Sequence, residues 1–463
     1  MENKVQLLTD ALNRAQDQLG QAQLQLQDLR RQIADLREQV SSASESASAS
    51  AEQQRLSSQV EALKENQELQ ASEIATHEQS KVESESKYPV KVTGMVLLNG
   101  FVNTNQVDMP PTPTIALPGA GTTGASLRQT VLGLDLLGPH LFGAHSHADV
   151  RADFFGSIDS SNIGAYDTAG LLRLRTAHAA LAWNSTEAWF SLDRPMLSPN
   201  EPASLTAVAV PPLSWSGNLW TWNPQVGVNR DFGAFSAERF RVQGALIDVS
   251  DPPTLGVAAT TLYSASSAEQ SRWPGVEARM AFGSQEDAGF RLGAGGYFAP
   301  HRTPYGAEFD SWAGTLDYRQ PLPGRMQLSG DFYRGSALGG LGGGAYKDYG
   351  VREDLDHPGA FYVRPLDAVG GWAELKERAT ERLEFNAALG TDSVFAGELH
   401  RYPGPAVGVY QNLNRTQTFT GNAIYSPSAW LLFSLEYRHL ESSTLDTPSA
   451  ASNIIGVAAG YKF

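Results

Sequence analysis

There is no cysteine among the 463 residues. This excludes a disulfide framework, a thiolate metal site and a cysteine nucleophile. No stretch approaches the ~20 consecutive apolar residues that a membrane-spanning helix needs, and mean hydropathy is −0.29. The net charge of −15 argues against nucleic acid as a partner. Residues 1–8 (MENKVQLL) show no basic region followed by an apolar one, so no secretory signal is visible. For an exported chain the expectation is a trimmed or mis-assigned start. No G-x-S-x-G elbow appears, and LGGLGGGAY (338–346) lacks the Lys-Ser/Thr of a phosphate loop. No enzymatic activity and no cofactor are expected, and 338–346 reads as a mobile outer loop.

What is present is alternation. At the carboxyl end Ile455, Val457, Ala459, Tyr461 and Phe463 alternate with Gly456, Ala458, Gly460 and Lys462. That is the period of a strand, apolar on one side and small or polar on the other. A lipid-facing wall around a wet interior has this pattern.

Residues 1–87 differ from the rest, with no proline and one glycine. Val5, Leu12, Leu19, Leu26, Ile33 and Val40 fall at position a of a heptad, and Leu8, Ala15, Ala22, Leu29 and Leu36 at d. Such a seam predicts a coiled coil and hence an oligomer. A Ser/Ala-rich break follows at 41–51, then a weaker helical pattern. Tyr88-Pro89 marks the boundary, because the residue before proline is pushed away from helix.

From residue 88 onward, sixteen strands are expected. They lie at 90–101, 126–137, 142–155, 171–182, 186–193, 223–231, 237–248, 273–282, 289–299, 308–319, 325–334, 368–378, 380–390, 413–425, 429–440 and 452–463. Their connections alternate between short and long. The long ones fall near 102–125, 156–170, 194–222, 249–272, 300–307, 335–367, 391–412 and 441–451. The fold expected is an all-β transmembrane barrel of about 16 antiparallel strands, preceded by an α-helical coiled coil.

Each strand sends charge to one side. His145, His147, Asp149, Arg151 and Asp153 oppose Ala144, Ala148, Val150, Ala152 and Phe154. Arg173, Arg175 and Ala177 oppose Leu172, Leu174, Ala180 and Ala182. Arg239 and Arg241 oppose Phe240 and Val242, while Ser434, Glu436 and Arg438 oppose Leu431, Phe433, Leu435 and Tyr437. An arginine facing lipid costs roughly 2–4 kcal/mol near the midplane, so the polar face must be luminal. Its polarity is too high for a dry core, and sixteen strands are wide enough for an aqueous channel.

The expected function is therefore a diffusion pore. Arg151, Arg173, Arg175, Arg239, Arg241 and Arg279 would form a basic ladder, with His145, His147 and Asp149 beside them. The apolar, Pro-rich 194–222 would fold inward, with Asp193, Arg194 and Glu201 near a constriction. Guanidinium groups match carboxylates bidentately, so small organic anions are the expected solutes, dicarboxylates among them. The bland alternative is that these arginines merely satisfy Asp149, Asp153, Glu187 and Glu277 on neighbouring strands. His145 and His147 lack an identifiable third ligand, so no metal site is expected.

VKVTGMVLLNGFVN (90–103), SLRQTVLGLDLLGP (126–139), HADVRADFFG (147–156), LLRLRTAHAALAW (171–183) and WNPQVGVN (222–229) resemble stretches of the DcaP-like trimeric outer-membrane porins. The resemblance implies a periplasmic coiled coil, a sixteen-stranded barrel, a homotrimer and uptake of dicarboxylates and similar anions. It also implies that Arg151, Arg173 and Arg175 line the pore. The family tends to carry Gly-Gln and Trp-Ser before its constriction loop, where this chain has WFSLDRPMLSP (189–199). Expected partners are small anionic solutes, outer-membrane lipid and, through the coiled coil, peptidoglycan. A second reading makes the barrel an anchor and the coiled coil an envelope tether.

Overall fold

The computed structural model describes residues 89–156, 170–233, 238–252, 265–284, 289–405 and 409–463. The expected coiled coil at 1–87 and its break at 41–51 lie outside the described residues.

The strands are β1 (Val90–Val107), β2 (Ala116–Ser126), β3 (Val131–Leu141), β4 (Ala144–Gly156), β5 (Leu171–Ala182), β6 (Thr186–Asp193), β7 (Asn223–Phe232) and β8 (Glu238–Ile247). They continue with β9 (Gly275–Ser284), β10 (Arg291–Arg302), β11 (Glu308–Leu322), β12 (Met326–Ser336), β13 (Tyr349–Glu353) and β14 (Phe361–Pro365). The last are β15 (Asp367–Arg378), β16 (Leu383–Val394), β17 (Leu413–Tyr425), β18 (Leu431–Thr444) and β19 (Ala450–Lys462). Both β2 and β3 pair antiparallel with β1, at its residues 99–107 and 90–95 respectively. They are two halves of one stave. β13 and β14 form a separate hairpin. The remaining strands pair antiparallel with their sequence neighbours, and β19 returns to β1. The result is a closed barrel of sixteen staves with no free edge, which suits a medium that cannot hydrogen-bond a backbone.

Closure uses the last residue. Phe463 and Gly94 exchange both backbone hydrogen bonds, each at 3.0 Å. Outward positions are apolar and exposed, among them Val102, Leu174, Phe190, Val226, Leu246, Leu316, Leu389, Leu435 and Val457. Inward positions on the same strands are polar and more buried, as with Asn99, Asp153, Gln225, Asp317 and Glu436. Each strand therefore meets two surroundings.

Several expectations need correcting. The segment 102–125 is not a loop, because β1 runs on to Val107 and β2 starts at Ala116. The connections at 303–307 and 445–449 are short, so the alternation of loop lengths is incomplete. In β5 the register shifts between the pairs Arg151↔Thr176 and Ala152↔Leu174, leaving Arg175 as a bulge. One extra residue reverses the alternation beyond it. His178 and Ala180 thus share the inward side of Arg173, and Ala177 does not.

The glycine-rich segment 338–346 is buried throughout, not a mobile outer loop. It enters the barrel and packs on 194–222, with the Tyr346 and Trp215 rings stacked at 3.8 Å. Leu338, Leu341, Trp215, Leu219, Tyr333 and Leu399 belong to one apolar cluster. The end of the barrel that carries the longer loops (the loop end) therefore holds a dry core after all. The wet part of the interior is smaller than the strand count suggests.

Candidate functional site

Residues 194–222 leave β6 and run inside the barrel, held by polar groups of the wall. Gln129 sits in the break between β2 and β3, fully buried. Its amide nitrogen donates to Thr206 O at 2.9 Å, and its Oε1 accepts from Val208 N and Ala209 N at 2.7 and 3.0 Å. Asn99 on β1 donates to Leu205 O at 2.7 Å, and Asn422 on β17 donates to Ala203 O at 2.7 Å. Gly217 has φ +102°, and a Cβ there would stand 2.2 Å from Gly371 O, so this approach to β15 requires glycine.

The same segment covers the acidic side of the wall. Ser198 and Asn200 donate to Asp331 on β12 at 2.8 and 2.9 Å. Ala203 N donates to Glu374 on β15 at 2.7 Å. Ser204 and Thr206 donate to Glu436 on β18 at 2.5 and 2.7 Å. Loop donors thus occupy carboxylates that would otherwise face the interior.

The opposite wall is rich in arginine, and its carboxylates are shared. Arg173 grips buried Asp153 at 2.7 and 3.1 Å, and Arg175 approaches the same group at 3.6 Å. Arg239 and Arg241 both hold Asp231, at 2.7 Å each. Arg279 binds Asp317 at 2.7 and 2.8 Å, with Arg291 4.0 Å from the same carboxylate. In each case two guanidinium groups meet one carboxylate, leaving one surplus positive charge. Arg151 goes the other way, 2.5 Å from Asp135 and 3.8 Å from Asp149.

The remaining expected site residues divide. His147 Nε2 lies 3.7 Å from Glu187, and His178 Nδ1 lies 3.9 Å from Asp149. His145 turns to His140, with ring centroids 3.9 Å apart. Asp193 accepts from Arg194 N at 2.7 Å, and Arg194 pairs with Glu201 at 2.8 Å. Among the described residues no group of three or more His, Asp or Glu is arranged to hold a metal ion. Arg279 is only 4% exposed, which removes it from the set able to touch a solute. The arginine partners are mostly not the ones expected: Asp153 serves, but Asp135, Asp231 and Asp317 replace Glu187 and Glu277.

Two chambers flank the loop. A smaller one of about 240 Å³ lies between His178, Trp189, Asn229 and the start of the loop at Asp193 and Arg194. A larger one of about 780 Å³ is lined by Asn200, Glu201, Arg291, Arg319, Lys376 and Arg378, among others. The cations on β10, β11 and β15 were passed over in the sequence. Their signal was present, since Arg291, Arg319, Lys376 and Arg378 share the inward side of their strands with Gly293, Asp317 and Glu374.

No protein-family model matches the chain, and no curated protein matches it. Solved structures do. The chain is similar to the outer membrane channel DcaP of Acinetobacter baumannii, with a TM-score of 0.62 and 17% identity over 82% of this chain and 99% of that one. It is similar to an anion-selective porin from Comamonas acidovorans, with a TM-score of 0.50 and 11% identity over 81% of this chain and 100% of that one. It is also similar to Salmonella typhi OmpF in complex with daunomycin, with a TM-score of 0.50 and 11% identity over 82% and 99%. The fold expected from the resemblance to the DcaP-like porins is therefore the fold found: residues 88–463 form a closed sixteen-stranded antiparallel barrel of the kind seen in outer-membrane channels.

Proposed function

We propose that this chain is an outer-membrane porin through which small anionic solutes diffuse passively. The observation that carries the reading is the sharing of Asp153 and Asp231 by two arginines each, on a wall facing an inward loop. Surplus positive charge in a low-dielectric cleft raises the local concentration of anions. The loop strengthens the bias by taking Asp331, Glu374 and Glu436 into its own hydrogen bonds. Arg173, Arg175, Arg239 and Arg241 remain partly exposed and carry the selectivity, with Arg151, His147, Asp149, Arg194 and Glu201 along the same path. Dicarboxylates suit this arrangement, since a planar guanidinium fork binds a carboxylate through two hydrogen bonds.

The proposal includes a homotrimer in outer-membrane lipid, with the ends bearing tight turns in the periplasm. It also includes a coiled coil over residues 1–87 in the periplasm, where peptidoglycan is a candidate partner. The Comamonas protein of similar fold is described as anion-selective, which favours the same reading here. The test is a reversal potential under a KCl gradient, with purified protein in a planar bilayer. Chloride preference supports the proposal, and potassium preference ends it.

A further inference from the structure

The larger chamber has a feature that the selectivity reading does not use. In the register of β10 and β11, Arg291 stands directly opposite Arg319. Both point inward. Like charges directly opposed across two strands are destabilising, so this pair needs a compensating anion. Among the described residues, Asp317 is the one carboxylate within 4.0 Å of Arg291, and it is already bound twice by Arg279. Arg291 gives its Nη2 to the neutral amide oxygen of Asn200 at 2.7 Å, and its Nε is buried with no hydrogen-bond partner.

The rest of the chamber does not redress the balance. Lys376 and Arg378 share Glu384, both at 3.5 Å. Glu374 is turned to the backbone of the loop at Ala203. The space beside the pair, about 780 Å³, is ample for a hydrated solute.

We propose that Arg291 and Arg319 form a second anion site, gripping one compact, doubly charged oxyanion of the hydrogen phosphate type. Neighbouring strands hold the two guanidinium groups side by side, so both forks can address oxygens of a single tetrahedral group. The site lies by the tight turns of the barrel, beyond the inward loop from the Arg173 pair. A solute leaving the narrow region would meet it next. This inference rests on the interior being an aqueous path.

The test is calorimetry of the purified full chain in detergent, titrated with inorganic phosphate at pH 8. One site per chain is expected. Arg291→Gln and Arg319→Gln should each weaken it by about tenfold, in keeping with loss of a charge-assisted fork. Arg239→Gln should change it by less than about twofold, being outside the chamber. Absence of binding, or binding unchanged in both chamber variants, overturns the proposal. Should either variant fail to fold, unaltered protein serves instead. Phosphate must then slow phenylglyoxal modification of Arg291 and Arg319, read by mass spectrometry, without slowing that of Arg239. Equal rates with and without phosphate would also overturn it. Bilayer conductance separates the two ideas: a conducting chain that binds no phosphate loses only this site, and a binding chain that conducts nothing loses the porin reading.

Discussion

Arg173 holds Asp153 through two guanidinium nitrogens, at 2.7 and 3.1 Å, while Asp153 itself has no exposed surface. A carboxylate taken wholly out of water is costly unless paired. Here Arg173 and Arg175 compensate it, and each keeps part of its side chain in the interior. The wall is thereby strengthened and left with a positive excess.

Asp153→Asn would strand two guanidinium groups against an uncharged amide. We expect a loss of about 3 kcal/mol, the size found when one partner of a buried pair is removed. The check is the temperature at which the folded band gives way to the unfolded band on detergent gels. A transition within a degree of the parent would contradict the pairing.

Replacing Arg239 and Arg241 by glutamine together should lower the anion-to-cation permeability ratio by roughly twofold, since these groups bias local ion concentration. Arg279→Gln should leave the ratio unchanged and lower stability instead, because that side chain is buried against Asp317 and Gln243. Paired reversal-potential and unfolding measurements distinguish the two effects.

Gln129→Ala removes three hydrogen bonds to the inward loop at once. Each buried group left unpaired costs about 1–3 kcal/mol. The loop should loosen, raising single-channel conductance and adding rapid flicker. Unaltered, quiet currents would show that the loop does not limit flow.

Burial pushes the Lys347 ammonium down to about 7 from its ordinary 10.5, although Asp392 opposes the change. Between about pH 7 and 10.5 the unfolded chain then binds this proton and the folded chain does not. Stability contributed by this residue must therefore rise with pH across that window. Lys347→Met should abolish that rise. Urea unfolding of parent and variant at several pH values gives the difference directly.

The two-faced strands were legible because each residue type reports its own surroundings. β5, β6 and β17 fall at 171–182, 186–193 and 413–425, as the alternation predicts. β2 was not legible, since ALPGAGTTGAS has little alternation and owes its extension to pairing with β1. The bulge at Arg175 is invisible to a period of two. The sequence carries no mark of the extra residue until β4 sets the register. Glycine at 339–344 pointed to mobility, whereas Trp215 and Tyr333, distant in sequence, bury it. The arginines were found from their phase along each strand. Their carboxylates on neighbouring strands depend on stagger, which alternation does not encode.

The most direct test asks whether adjoining strand positions meet different solvents, and the cysteine-free chain suits it. Asp149→Cys lies on the inward face of β4, and Leu174→Cys on the outward face of β5, where leucine is 51% exposed. In liposome-embedded protein a charged, water-soluble thiosulfonate should label the first and reduce conductance. It should spare the second, which a lipid-soluble maleimide should label. Labelling of Leu174→Cys by the charged reagent, with Asp149→Cys protected, would contradict a water-filled barrel set in lipid.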